Sequence, residues 1–155
     1  MTLVTASIDI DAPSAAVWDV VMDPHRFADW VTIHRRIHRT DDGAVRPGYE
    51  VEQTLALRGA PFKVHWTLAE AEAPRRATWD GRGPGGSRAR TTYRLADRDG
   101  GGTRFDYTNE FRAPGGFVGA AAGRALVGGI SQREASRSLE RLKALVERDG
   151  GRRAR

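Results

Sequence analysis

The side chains in this sequence best suited to handling a small molecule are polar residues standing where apolar ones are due. Strand-like alternation puts Gln53 between Val51 and Leu55 on one face. It puts Thr91 and Tyr93 beside Ala89 and Leu95, and Tyr107 and Asn109 beside Phe105 and Phe111. Phe62, Val64, Trp66 and Trp79 continue the same apolar face. A largely apolar wall with a few polar groups suits a small-molecule pocket, because apolar atoms supply affinity and polar atoms fix orientation. Buried Tyr and Trp also carry a polar tip that needs a partner. The plain alternative is that Tyr93, Tyr107, Gln53 and Asn109 satisfy one another inside a filled core.

Other chemistry is thinly represented. His25 and His65 fall on positions expected to face water. His34 and His38 alternate with Ile33, Arg35 and Ile37 on a weak strand after Trp30, so either can face outward. No third ligand accompanies them as a metal triad would need, so neither a metal nor a cofactor is expected. Gly-x-Ser-x-Gly, a phosphate-binding glycine loop and a dinucleotide fingerprint are all absent. The glycine clusters at 81–86 and 100–102 read as turns. Asp9, Asp11, Glu50, Glu52, Asp106 and Glu110 lie on the polar strand face, which leaves no acid–base pair for the pocket. A cyclase does not need one. Intramolecular aldol closure gains chiefly from holding a chain folded while a donor polarises a carbonyl. Tyr107, Asn109 and Tyr93 are therefore the expected catalytic groups, with Arg124 able to join them.

The elements that must position these residues follow from periodicity. Residues 3–11 alternate as a half-buried strand, with Val4, Ala6, Ile8 and Ile10 inward. Pro13 suits the first position of a short helix that ends near Met22. Asp23-Pro24 opens a second short helix through Trp30, with Asp23 as its N-cap. Six further strands run from Ile33 to Phe111, with turns at Asp41-Asp42-Gly43, Arg58-Gly59-Ala60-Pro61 and 97–102, as an antiparallel meander. One long helix from Pro114 to Asp149 closes the chain. Ala135, Leu139, Leu142 and Val146 form its apolar stripe, while the stretch from Gly115 to Gly129 is rich in Gly and Ala. A sheet with one apolar face must be covered, and a long helix crossing it gives an α+β two-layer architecture. The small residues of the front half predict a space between helix and sheet.

Composition sets the remaining bounds. The 155 residues fit one domain, spanning 1–149, with a basic tail at 150–155 expected to be frayed. Cysteine is absent, which removes disulfides and thiolate chemistry. No apolar run spans a membrane, and MTLVTASIDID carries no signal-peptide pattern, so a cytoplasmic address is expected. The net charge is +5, and all but two of the 25 basic residues are arginine. Arg88, Arg90 and Arg94 alternate outward and read as a solvated face. No DNA- or RNA-binding motif accompanies them, so no nucleic-acid partner is expected. A monomer or homodimer fits equally.

Several motifs resemble one known group. The opening SIDIDAPSAAVWDVVMDPHRFADW combines a strand ending in Ala-Pro, Val17-Trp18, Asp23-Pro24 and an aromatic before Trp30. Pro47-Gly48, Pro74-Arg75-Arg76, Gly101-Gly102-Thr103-Arg104 and the closing SLERLKALVE continue the likeness along nearly the whole chain. The pattern is similar to the START-like, helix-grip superfamily that includes the birch-pollen allergen, and within it to the polyketide cyclase/dehydrase and lipid-transport group. That resemblance implies a helix-grip fold: a seven-stranded antiparallel curved sheet wrapped on a long C-terminal helix, with two short helices after the first strand. It implies one cavity serving aromatases and cyclases, lipid carriers, hormone receptors and stress-protein cofactors alike, and it transfers no catalytic residue. The expected function is binding of a hydrophobic or aromatic molecule, polyketide-like or lipid, with or without its cyclisation. A non-enzymatic lipid or isoprenoid carrier is the alternative, and a protein-interaction module using the basic sheet face a further one. The residues expected to line the site are Trp30, Val51, Gln53, Leu55, Val64, Trp66, Trp79, Thr91, Phe111, Phe117, Ala121, Arg124 and Gly128.

Overall fold

The computed structural model describes residues 2–113 and 130–153. Strand β1 (Thr2–Ile10) leads into α1 (Ser14–Val21), a 3-10 turn (Pro24–Arg26) and α2 (Phe27–Trp30). Then come β2 (His34–Thr40), β3 (Glu50–Leu57), β4 (Ala60–Glu72), β5 (Arg76–Arg82), β6 (Arg88–Asp97) and β7 (Thr103–Arg112), and finally α3 (Gln132–Arg153). The seven strands form one antiparallel sheet in the order β1-β7-β6-β5-β4-β3-β2. The meander therefore starts at the far edge and returns to pair with β1. The two short helices carry the chain across that distance.

The alternation of side chains holds along β6 and the middle of β3, while β2 and β4 carry bulges. Val51, Gln53, Leu55 and Leu57 are buried on β3, as are Thr91, Tyr93 and Leu95 on β6. Arg88, Arg90 and Arg94 are exposed on the opposite face, where Asp80 meets the Arg90 guanidinium at 2.8 Å. At the β3–β4 hairpin both loop residues take positive φ, Arg58 at 50° and Gly59 at 80°. That is the conformation a two-residue turn needs to match strand twist. The turn is tighter than the four residues expected, and Ala60 and Pro61 belong to β4.

Helix boundaries depart from the sequence expectation in three places. Pro13 is extended, with ψ at 151°, and stands as the N-cap of α1, so the helix opens at Ser14. The helix expected to run from Pro114 to Asp149 does not pass through Ile130 and Ser131, which are not helical, and its front part lies outside the described residues. Ser131 begins α3 as a cap: its hydroxyl accepts from the Glu134 N–H at 3.1 Å, satisfying one of the first-turn donors. At the other end α3 runs past Asp149 through Gly150 and Gly151 to Arg153, so helix covers the first part of the expected frayed tail. The 22 residues of α3 span about 33 Å at 1.5 Å per residue. Asp23 caps the 3-10 turn as expected, its carboxylate accepting from the His25 N–H at 3.0 Å.

The stripe Ala135, Leu139, Leu142 and Val146 is buried, joined by Ser138 and Leu145. The main packing of α3 is against β1 and the two short helices. Lys143 Nζ donates to the Asp9 carbonyl at 3.0 Å, and Thr32 N–H donates to Ser138 Oγ at 3.0 Å. These bonds tie both ends of the β1–α2 segment to the helix. The middle strands face the helix across a gap.

Candidate functional site: a cavity between sheet and helix

That gap is a cavity of about 110 Å³. A single water needs roughly 10–15 Å³ on the same measure, so the space takes a group of at least aromatic-ring size. Its described lining includes Trp30, Val51, Gln53, Leu55, Val64, Trp66, Trp79, Thr91, Tyr93, Tyr107, Asn109 and Phe111. All of the expected site residues that fall within the described chain are thus brought together. Phe117, Ala121, Arg124 and Gly128, and with them the Gly/Ala-rich segment expected to roof the space, lie outside the described residues.

The lining also contains residues that sequence reasoning missed. Phe27, Val31 and Ile33 come from α2 and the segment after it, and Ile130, Ala135, Ser138 and Leu139 from α3 and its approach. Ala135 and Leu139 were expected only to anchor the helix. They are buried and also line the cavity. Gly81, Gly83, Ser87 and Arg88 extend the wall to the β5–β6 connection. The stripe itself was the signal for Ala135 and Leu139; nothing in the sequence separates its cavity end from its packed end.

Register decides which polar groups meet. Thr91 pairs with Asn109 and Tyr93 with Tyr107 across β6 and β7. Asn109 Nδ2 donates to Thr91 Oγ1 at 2.9 Å. The Tyr93 and Tyr107 rings lie 6.3 Å apart, and Tyr93 also sits 6.2 Å from Trp30 and 5.5 Å from Phe105. Burial pushes the Tyr107 hydroxyl up to about 12, against the pull of Thr91 and Asn109 toward its ionised form. Tyr93 is raised further, again chiefly by burial and then by the neighbouring Tyr107. Both phenols therefore stay protonated at neutral pH and can donate.

A second polar set lies across β3 and β4. Trp66 Nε1 donates to Gln53 Oε1 at 2.8 Å, and Gln53 Nε2 lies 2.7 Å from His34 Nδ1. His34, left open by the sequence, is half-buried and stands edge-on to Phe27 with ring centres 6.2 Å apart. Burial first, and Arg35 second, lower its pKa from 6.5. His38 points elsewhere, to Thr54 Oγ1 at 2.6 Å. The indole N–H groups of Trp30 and Trp79 are buried without a hydrogen-bond partner. Leaving such a donor unmatched costs about 1–3 kcal/mol. The polar residues thus partly satisfy one another, in two separate groups rather than the single one considered.

Arg88, whose side chain is exposed on the outer face, is the one lysine or arginine in the described lining, which has no carboxylate. Among the described residues no cluster of three His, Asp or Glu could hold a metal ion. No helix among them is long and apolar enough to cross a membrane.

The family described as polyketide cyclase/dehydrase and lipid transport matches residues 1–147. The chain belongs to that family. Proteins of known structure share the present architecture. The aromatase/cyclase ZhuI from Streptomyces sp. R1128 superposes with a TM-score of 0.75 at 19% identity, covering 94% of this chain and 93% of that one. Protein CV1439 from Chromobacterium violaceum gives a TM-score of 0.67 at 19% identity, over 95% of this chain and 99% of that one. At such identity the likeness concerns the fold. By sequence, the Mycobacterium tuberculosis H37Rv protein named Toxin Rv0910 is 28% identical over 99 residues, 64% of this chain and 69% of its own. The uncharacterized protein Rv1546 of the same organism is 24% identical over 135 residues, 85% of this chain and 93% of its own.

Proposed function

We propose that this member of the polyketide cyclase/dehydrase and lipid transport family binds an oxygen-bearing, largely apolar small molecule in the cavity between sheet and α3. The observation that carries the reading is the composition of the wall: aromatic and aliphatic surface, protonated phenols and no carboxylate among the described lining. Such a wall holds an apolar body by area and steers it by a few donors. It also stabilises negative charge developing on a carbonyl oxygen.

The chemistry that fits is cyclisation of a polyketide-like chain. An enol carbon of the folded ligand attacks a ketone carbon of the same molecule. One C–C bond forms, the carbonyl π-bond opens, and its oxygen takes up the proton that the enol gives up. In this reading Tyr107, beside Thr91 and Asn109, hydrogen-bonds that oxygen, and Tyr93 packs the ring being formed. Later loss of water leaves the aromatic product. The cavity's main contribution is to hold the chain folded.

A carrier of acyl chains is the second reading, favoured by the same lack of an acid–base pair. Native mass spectrometry of protein purified from its own host separates the two. A co-purifying aromatic or polyketide-like molecule supports the first and an acyl chain the second. Incubation with a poly-β-ketone substrate tests turnover. A product distribution identical to that without protein rules out cyclisation.

A further inference from the structure

The hydrogen-bond roles around Gln53 leave no freedom of assignment. An indole N–H only donates, so the Gln53 oxygen 2.8 Å from Trp66 Nε1 is the acceptor there. The Gln53 amide nitrogen must then face the other way, where it meets His34 Nδ1 at 2.7 Å. An amide nitrogen only donates, so Nδ1 accepts, and His34 is neutral with its proton on Nε2. The amide carries two N–H bonds and this arrangement uses one. The other has no partner among the described residues, on a cavity-lining residue only 3% exposed.

We infer that His34 is a positioning residue that holds Gln53 as a hydrogen-bond donor at the cavity wall, so that the cavity prefers ligands bearing an acceptor oxygen, such as a ketone or quinone, and loses that preference when His34 takes up a proton. The inference rests on the cavity-binding reading above. A protonated His34 presents Nδ1–H to the Gln53 amide nitrogen, donor against donor. Turning the amide over cures that contact but brings its NH2 against the Trp66 N–H, which has no acceptor capacity. Either arrangement is frustrated, so the amide no longer holds one orientation.

The surroundings of His34 do not offset this. Its neighbour on β2 is Arg35, which disfavours a second positive charge. The 3-10 turn against β2 carries His25 and Arg26, and the Arg26 guanidinium is occupied by Asp29 and Asp149 at 2.9 and 3.1 Å. On β3 the residue in register with His34 is Leu55, and α2 contributes the Phe27 ring.

The test uses two probes with one carbon frame: menadione, a methylated naphthoquinone, and 2-methylnaphthalene, which lacks the two oxygens. The chain has no cysteine for the quinone to alkylate. Relative to pH 7.5, wild-type protein is expected to bind menadione more weakly once acid has protonated His34, by about tenfold, the order of one lost hydrogen bond. Its affinity for 2-methylnaphthalene stays level. His34→Phe is expected to bind menadione weakly at neutral and acid pH alike, with 2-methylnaphthalene unchanged, and Gln53→Leu to bind menadione weakly with no dependence on pH. A readout on the unmutated protein accompanies these titrations: in ¹⁵N-labelled protein the Trp66 indole N–H shift should follow the His34 titration, while those of Trp18, Trp30 and Trp79 do not. Menadione affinity that stays level while the imidazole signals of His34 report its protonation, with 2-methylnaphthalene bound, overturns the role of His34 and leaves the cavity reading standing. A Trp66 signal that ignores His34 overturns it as well. Wild-type protein that binds neither probe removes the cavity reading, and this inference with it.

Discussion

Gly81 and Trp66 stand in register across β4 and β5, and the indole occupies the place a side chain at 81 would take. An ideal Cβ there comes within 2.6 Å of Trp66 Cζ3 and 2.8 Å of Cε3. A flat indole bonded at its far edge to Gln53 has nowhere to slide. Gly81→Ala is expected to displace the ring and break the Trp66–Gln53 bond. The cost is about 1–3 kcal/mol, as for other overpacked sites. Thermal melting by circular dichroism should show a drop of roughly 2–4 °C per kcal/mol. A variant melting with the wild type means the ring has another place to go.

Tyr107→Phe keeps the ring and removes the hydroxyl beside Thr91 and Asn109; Asn109→Leu removes the amide that donates to Thr91 at 2.9 Å. Each is expected to weaken menadione binding about tenfold while shifting the melting temperature by less than about 3 °C. If stability falls and affinity holds, the pair is core rather than site. Since burial pushes Tyr107 up to about 12, the contribution of this donor should stay constant from neutral pH to about pH 10.

Folding stability should fall in mild acid. His34 binds a proton less readily in the folded chain than at its ordinary 6.5, chiefly because burial disfavours the charged ring. The unfolded chain then takes up the proton first as pH drops below 6.5, and stability decreases in that direction. Above 6.5 the group is neutral in both states and its contribution is constant. Urea unfolding at pH 7.5 and 5.5 checks the sign, with His34→Phe expected to show a smaller difference than wild type.

The β6–β7 turn and the β1–α1 elbow are joined through a fully buried hydroxyl. Thr103 Oγ1 donates to the Ala12 carbonyl at 2.7 Å and lies 3.3 Å from Ser14 Oγ, which itself donates to Asp97 at 2.6 Å. Thr103→Val preserves shape and strips the donor from a buried carbonyl. A loss of about 1–3 kcal/mol is expected, read by urea denaturation, with little change in cavity binding because the contact lies away from the lining.

What the sequence determined alone is the fold and which residues face inward. Period-two alternation from Tyr49 to Phe111 sorts most strand residues to one face, because successive side chains on a strand point opposite ways, and fails beyond the bulge at Leu68–Glu70. The inward residues Val51, Gln53, Thr91, Tyr93, Tyr107 and Asn109 were legible for that reason, as was the apolar stripe of α3. Tertiary structure decided the rest. Only strand register makes Thr91 the partner of Asn109, and pairs Trp66 with Gln53 while His34 arrives from the neighbouring edge strand. Helix at 130–131 was misread because the Ser131 cap depends on one hydroxyl meeting one backbone N–H. Ala135 and Leu139 were read as packing, and they also line the cavity. Alternation and helical periodicity are local properties carried by each residue's neighbours in sequence, whereas hydrogen-bond partners and hollows depend on distances between strands that no local pattern encodes.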